Sequence, residues 1–562
     1  MESLNRINRQ QPARKETVMQ KKIVAGAIGN DVHVAGVLGF LRVAESLGYE
    51  TVFLGPAVPV EEFIEAIEKH QPEIVGVSYR LTPEVAPRLV EELHNLLKER
   101  KLLGRRFVFG GTAPVCRAVE PSGLFERAFT GLEPMEDVAS YLSGRLNDAG
   151  ERRFAETQIE RMQQKQPYPM LRHHFGLPSL QETIDGVKKI AESEVLDVIS
   201  IAPDQNAQES FFRPEEMKPE LDGAGGVPVR TADDLRAIYK ASRCGNFPLL
   251  RIYSGTRDLV KWAELARDTI NNAWGAIPLC WYSTLDGRST RPVTEAVAEN
   301  QAAMKWYAEH GIPVEVNEAH HWSLRDAHDA LAVAMAYLAA YNAKAMGVRY
   351  YIAQYMFNTP PTTYGAMDLA KMLAKAELIE SLHDENFISM RQVRAGLLSL
   401  SPDMEMAKGQ LAASAVLALG LKPHIIHVVG YTEGDHAATA DEVIESCKIV
   451  RGVLKNCMFG MPDAVKDERV TARKDELVNE AKQIVESIKS LGDGSGDPLT
   501  SPEIISSAMK IGILDAPQLA GNPEIAGRIK TACINGAIYA IHPEDKTPLA
   551  ESDRLRMCLP DS

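Results

Sequence analysis

The chain has 562 residues, 45% of them hydrophobic and 25% charged, proportions that exclude a wholly disordered, collagen-like or coiled-coil molecule. Its 62 basic residues against 76 acidic ones leave a net charge of −14, which argues against nucleic acid or an anionic membrane surface as partner. The seven cysteines, Cys116, Cys244, Cys280, Cys447, Cys457, Cys533 and Cys558, form no CxxC pair, so neither a disulfide scaffold nor a zinc knuckle is expected and a reducing compartment fits.

Taken in chain order, the opening MESLNRINRQQPARKETVMQ is polar and lacks the apolar stretch of a signal peptide. No run of ~18 apolar residues follows, and the expectation is a cytoplasmic protein. From Lys22 the pattern alternates strand-like runs with amphipathic helical ones: KIVAGAIG, VAGVLGFLRVAESLG, TVFLG, VEEFIEAIEKH, EIVGVSY, PRLVEELHNLLKER and RFVFGG. Such alternation predicts a parallel sheet covered by helices, and residues 20–145 are read as one α/β domain of flavodoxin or Rossmann type. A polar helical stretch at 146–165 reads as a connector.

Strand candidates then recur at longer spacing: LDVISIAP (196–203), PLLRIYSG (248–255), IPLCWYS (277–283), IPVEVNE (312–318), VRYYIAQY (348–355), FISMRQV (387–393) and PHIIHVVGY (423–431). This rhythm approaches a TIM (β/α)8 barrel, with the eighth strand not evident, so 166–562 is expected to hold such a barrel with a C-terminal extension. The charged stretch DERVTARKDELVNEAKQIVESIKS reads as a solvated helix face.

The chemistry concentrates after the first strand, in Asp31-Val-His33-Val-Ala-Gly36. A loop imidazole can offer one nitrogen to a metal while a nearby carboxylate orients it through the other, and Gly36 lets a bulky planar ligand approach. Ser78 ends the third strand, in GVSYRLTPE, and Gly110-Gly111 the fourth, in FVFGGTAP. In this order and spacing, DxHxxG, the serine segment and the glycine pair resemble the cobalamin-binding domain of B12-dependent mutases and methyltransferases. The resemblance implies that His33 is the lower ligand of cobalt, that Asp31 hydrogen-bonds it, and that Ser78, Arg80, Gly110 and Gly111 line the pocket for the nucleotide tail. Where that family has S-x-L, this chain has Arg80, with Leu81 one place later. The few residues before Lys22 leave no room for a methyltransferase helical cap, and no CxxxCxxC motif of radical SAM enzymes is present.

The remainder resembles the barrel chain of the glutamate mutase (methylaspartate mutase) family, through PMLRHHFGLPSL, GAGGVPVRT, PLLRIYSGTRDLVKWAE, STLDGRSTRP, PHIIHVVGYTEGDHAATADEVIESCKIVRGVL and GILDAPQLAGNPEIAG. That family clamps substrate carboxylates with arginines, a task suited to the planar bidentate guanidinium. Arg172 and Arg251 match two of them. The third falls on DQNAQES and the catalytic glutamate on the stretch around Ser283, so glutamate itself is not the expected substrate. Gln205, Arg257, Arg288, Glu318, His320 and, less centrally, Asn206 and His321 follow strands at the expected mouth. Arg257 and Gln205 are assigned to substrate and Arg288, Glu318 and His320 to catalysis. His427 and Glu433 of HIIHVVGYTEGDH are assigned to the adenosyl ribose, with a zinc site in that stretch as an alternative.

These resemblances imply an adenosylcobalamin-dependent isomerase that performs a radical 1,2-rearrangement of a small carboxylate, with homodimerisation expected by family likeness. The alternatives are an aminomutase that also needs pyridoxal phosphate, for which no lysine stands out, and a non-catalytic cobalamin carrier or sensor.

Overall fold

The computed structural model describes residues 21–131, 133, 135–144, 154–253, 255–395, 399–457 and 463–559. The polar N-terminal stretch and residues 146–153 of the expected connector lie outside the described residues; the connector's second half contains the helix Gln158–Lys165. The chain divides into two compact units, Met1–Arg153 with Gln163–Tyr168, and Phe154–Met162 with Pro169–Ser562.

The first unit is a five-stranded parallel sheet: β1 (Lys22–Ala27), β2 (Glu50–Phe53), β3 (Ile74–Ser78), β4 (Arg106–Gly110) and β5 (Arg127–Phe129), in the order β2-β1-β3-β4-β5. β1 and β3 are almost wholly buried, as strands covered on both faces must be. The helix Val60–His70 buries Val60, Phe63, Ile64 and Ile67 on one stripe, and carries Glu61 and Glu62 in its first turn and Lys69 and His70 in its last, matching the helix dipole. Separate apolar clusters cover the two faces of the sheet. The short fifth strand, RAF, is too brief to read as a periodic run. The strand order changes direction between β1 and β3, the switch point where open parallel sheets bind ligands beyond the strands' carboxyl ends. Asp31, His33 and Ser78 all lie there.

The second unit contains eight parallel strands in chain order: β6 (Met170–Phe175), β7 (Val198–Ile201), β8 (Leu249–Ile252), β9 (Gly275–Ile277), β10 (Val314–Val316), β11 (Tyr350–Phe357), β12 (Ile388–Ala395) and β13 (Ile425–His427). β13 pairs with β6, closing the ring except between β8 and β9, where Ala273 N donates to Leu250 O at 2.8 Å and Ile252 N to Asn272 Oδ1 at 3.2 Å. The strand missing from the sequence pattern is β6, MLRHHF. The expected strand at 277–283 is also corrected: β9 ends at Ile277 because Pro278 has no N–H to donate, and the next two amides are drawn to Glu318 instead.

The strand expected over 312–318 is Val314–Val316, and His320 and His321 beyond it lie on the one-turn helix Ala319–Ser323. DERVTARKDELVNEAKQIVESIKS is the helix Glu468–Lys489, yet it is more than a solvated face: Val470, Leu477, Val478, Ala481 and Ile484 are buried, and Arg473 pairs with Asp329 at 3.4 Å. Near the C-terminus, β14 (Thr531–Ile534) and β15 (Ala537–Ala540) form a hairpin around Asn535-Gly536, both at positive φ, as such two-residue turns require.

Candidate functional site

In the first unit, the loop after β1 is organised by one carboxylate. Asp31 is fully buried; its Oδ1 accepts from the His33 amide at 2.9 Å and sits 2.8 Å from His33 Nδ1, while Oδ2 accepts from the Arg80 amide at 2.7 Å. A buried acceptor of this kind donates nothing in its ionised form, so it sets His33 with the proton on Nδ1 and leaves Nε2 free. The imidazole is half exposed. The same carboxylate ties the β1 loop to the β3 loop, and that is where Arg80 enters: through its main chain, with an exposed side chain.

The floor beside His33 is cut from small residues. Ser78 pairs in register with Gly110. A Cβ on Gly111 would lie 2.6 Å from Tyr79 O and 2.9 Å from Phe109 Cε1, so the backbone passes there only without a side chain. A Cβ on Gly36 would meet nothing within 4 Å; that glycine opens onto free space rather than into packing. Val32 and Leu81 stand exposed on the same two loops.

In the second unit the strand alternation turns polar side chains inward. Arg172 of β6 donates through Nε to Gln392 Oε1 (2.7 Å), through Nη1 to Ser200 Oγ (2.7 Å), and through Nη2 to His427 Nδ1 (3.1 Å). It thus touches β12, β7 and β13, which a side chain reaches together only across the barrel interior. Glu315 of β10 lies 3.7 Å from Arg172 Nη2 and 3.4 Å from Arg251 Nη2, and accepts from Trp274 Nε1 at 2.7 Å. Arg172, Arg251, Glu315 and Gln392 come from the first, third, fifth and seventh barrel strands. That is the four-residue layer of a TIM barrel, here filled with charge where branched apolar residues are usual.

Burial raises the Glu315 carboxyl, but Arg251 and Arg172 together hold it below the usual carboxylate range. Arg251 keeps Nε and Nη1 without acceptors and lies over Tyr253 and Trp274, 4.7 and 5.4 Å from the ring centres. One step along, His174 stacks on Tyr253 at 4.9 Å and meets the edge of His427 at 4.6 Å. Burial first, and the Arg172 charge second, hold both imidazoles well below their ordinary pKa, so they are neutral. Arg394, two residues beyond Gln392 on β12 and in register with His427, shares their face. Its Nε has no acceptor.

The remaining expected residues are placed as follows. Glu318 accepts through Oε2 from Leu279 N (2.9 Å) and Cys280 N (3.1 Å) and through Oε1 from Trp322 Nε1 (2.8 Å), and burial raises its carboxyl. His320 and His321 are buried, with ring centres 4.3 Å apart; burial lowers both far below the ordinary histidine range. Arg257 is ion-paired with Glu216, and Gln205 is exposed in the first turn of the helix Gln205–Ser210. Arg288 is largely exposed and lies over the Tyr282 ring at 5.1 Å. Arg172 has its donors directed to Gln392, Ser200, His174 and His427 within the protein. His427 is turned to Arg172, while Glu433, in the turn Tyr431–Gly434, is raised by burial and countered by the Arg394 charge. Sequence reasoning missed Glu315, Gln392, His174 and Arg394. Among the described residues no group of three His, Cys, Asp or Glu side chains could hold a metal ion, and no helix is long and apolar enough to cross a membrane.

Comparison with known proteins bears on the first unit. Residues 21–122 match the B12 binding domain family. The chain is 29% identical over 115 residues to dimethylamine corrinoid protein 2 of Methanosarcina acetivorans, covering 20% of this chain and 52% of that one. It is 36% identical over 58 residues to glutamate mutase sigma subunit 2 of Haloarcula marismortui, covering 10% of this chain and 39% of that one. Among solved structures, a novel cobalamin-binding protein from Desulfitobacterium hafniense aligns with 22% of this chain and 57% of its own, at 27% identity and a TM-score of 0.19. The chain spans about half the length, or less, of the curated relatives it matches. The N-terminal unit is a Rossmann-like B12-binding domain, and cobalamin is its cofactor.

Proposed function

We propose that the chain is an adenosylcobalamin-dependent isomerase that performs a radical 1,2-rearrangement of a small carboxylate other than glutamate inside its barrel. The observation that carries this reading is the presence, in one polypeptide, of a cobalamin module with a pre-oriented imidazole and of a barrel whose interior is lined by arginines and neutral histidines.

The residues of the module fit the cofactor. His33 would offer Nε2 to cobalt because Asp31 holds Nδ1; Gly36 leaves room beside it, and Ser78 and Gly110, paired in register, would line the pocket for the nucleotide tail. When bound, adenosylcobalamin supplies a carbon-centred radical by homolysis of its cobalt–carbon bond. The chain's own part is binding, orientation and exclusion of water. Arg251 Nε and Nη1 and His174 Nδ1, buried without partners, offer polar atoms to a ligand without a strong acid or base. A nearly closed barrel keeps stray hydrogen donors from a radical. By family likeness the proposal extends to a homodimer in the cytoplasm.

The test uses the full chain loaded with adenosylcobalamin and a panel of carboxylic acids and acyl-CoA esters. Loss of the adenosylcobalamin absorbance on addition of one of them, with an isomeric product, is the expected result. The match to a corrinoid protein favours a second reading, a cobalamin carrier; cofactor binding with no acid-dependent spectral change across the panel would favour that one and defeat the first.

A further inference from the structure

We propose that Glu315 is a built-in carboxylate that fills the fork between Arg172 and Arg251, limiting the barrel to acids with one carboxylate, and that Arg394 is the residue that anchors it. The inference rests on the reading of the barrel interior as the substrate chamber.

Glu315 and both deep arginines are fully buried. With Arg172 Nη2 at 3.7 Å, Arg251 Nη2 at 3.4 Å and Trp274 Nε1 at 2.7 Å, this carboxylate occupies the place that a substrate carboxylate would take in a two-arginine clamp. A second carboxylate brought there would meet a like charge in a medium of low dielectric, a repulsion that acts as a specificity filter. Arg172 has no donor to spare. Arg251 has its charge met by Glu315 and its planar faces by two aromatic rings, so its unpartnered Nε and Nη1 suit a neutral carbonyl or hydroxyl oxygen rather than a second anion.

Arg394 differs from both. It stands on the same inner face as Gln392, one pleat nearer the carboxyl end of β12 and beside His427. Of these three arginines it alone has no carboxylate within ion-pair distance among the described residues, and its Nε is buried without an acceptor. The field of its charge reaches His174, His427, His320, His321 and Glu433, which places it centrally among the groups of the chamber. A bidentate carboxylate is the partner its geometry lacks.

The experiment compares butanoate with succinate, acids of equal chain length with one and two carboxylates, by calorimetric titration of the full chain with cobalamin bound. Wild type should bind butanoate more tightly than succinate by about tenfold, and Glu315→Gln should erase that preference by strengthening succinate. Arg394→Gln should weaken butanoate by about tenfold or more, and Arg394→Lys should restore only part of the loss. Equal or tighter binding of succinate by wild type, no measurable binding of either acid, or unchanged butanoate affinity in Arg394→Gln would each overturn the proposal. The wild-type ratio and the Arg394 variants keep it open to refutation if Glu315→Gln fails to fold. A chain that discriminates between the acids yet never changes its adenosylcobalamin absorbance would support the proposal and retire the isomerase reading alone.

Discussion

Asp31 is a residue whose second oxygen matters as much as its first. Replacing it with Asn leaves a single acceptor for the His33 ring and the amides of His33 and Arg80, so either the imidazole loses its orientation or the β3 loop loses its tie. Loss of such a ligand's carboxylate partner typically weakens metal-site affinity by about 10–100-fold. Spectral titration of Asp31→Asn with cobalamin should show a loss of that order, and wild-type affinity would remove the carboxylate from the site. This pair was legible in the sequence because Asp31 and His33 are two residues apart and act on each other locally. Arg172 was not legible, since its role is set by Gln392, Ser200 and His427, which arrive from three other strands. Lys375 is a second hidden case: it is buried, and burial together with Lys371 pushes its ammonium down to about 7, against ~10.4 in an unfolded chain. Between those values the unfolded state binds more protons, so stability rises with pH from about 7 towards 10 and is lower below that window. Lys375→Met should raise the melting temperature at pH 6 and flatten the rise above pH 7; a parallel pH profile in the variant would show that the ammonium is not the cause.

At the scale of elements, the strands that read poorly are those whose inward residues are functional. β6 carries Arg172 and His174 among its apolar residues, so MLRHHF lacks the run that betrays a buried strand. The expected strand FISMRQV stops one residue short of Arg394, although Met390, Gln392 and Arg394 alternate in the way an inner face requires. The one-turn helix after β10 was not legible for a different reason: it depends on Glu318 accepting from two amides of the loop after β9 as well as from the indole of Trp322 within the turn itself. The glycines of the module separate packing from ligand room. Gly111→Ala forces a Cβ against Tyr79 O and the Phe109 ring, an overpacking that should cost about 1–3 kcal/mol of stability, read as a lower denaturation midpoint of the module. Gly36→Ala lies in the first turn of the helix Ala35–Ser46, with nothing for its methyl to strike. It should leave stability unchanged or raise it by up to about 1 kcal/mol while cobalamin binding falls. Undiminished cobalamin affinity in Gly36→Ala would mean that this opening is not where the corrin approaches.

At the scale of the molecule, the large apolar clusters among the described residues are one in the second unit and two on the faces of the first sheet. Each unit therefore has a core that could support its own cooperative unfolding, and heating should resolve two transitions in a calorimeter. The ligand arithmetic then identifies them. If cobalamin binds through His33 and its neighbours as proposed, a cofactor concentration of 100 times the dissociation constant should add about 2.7 kcal/mol to the unit that holds it. That gain appears as an upward shift of the module's transition. His33→Ala should keep both transitions, because a half-exposed loop imidazole contributes little packing, but should lose most of the cofactor-dependent shift. A full shift in the variant would mean that cobalamin is held without a histidine ligand, and the chemistry assigned to the sheet edge would have to move to the nucleotide tail.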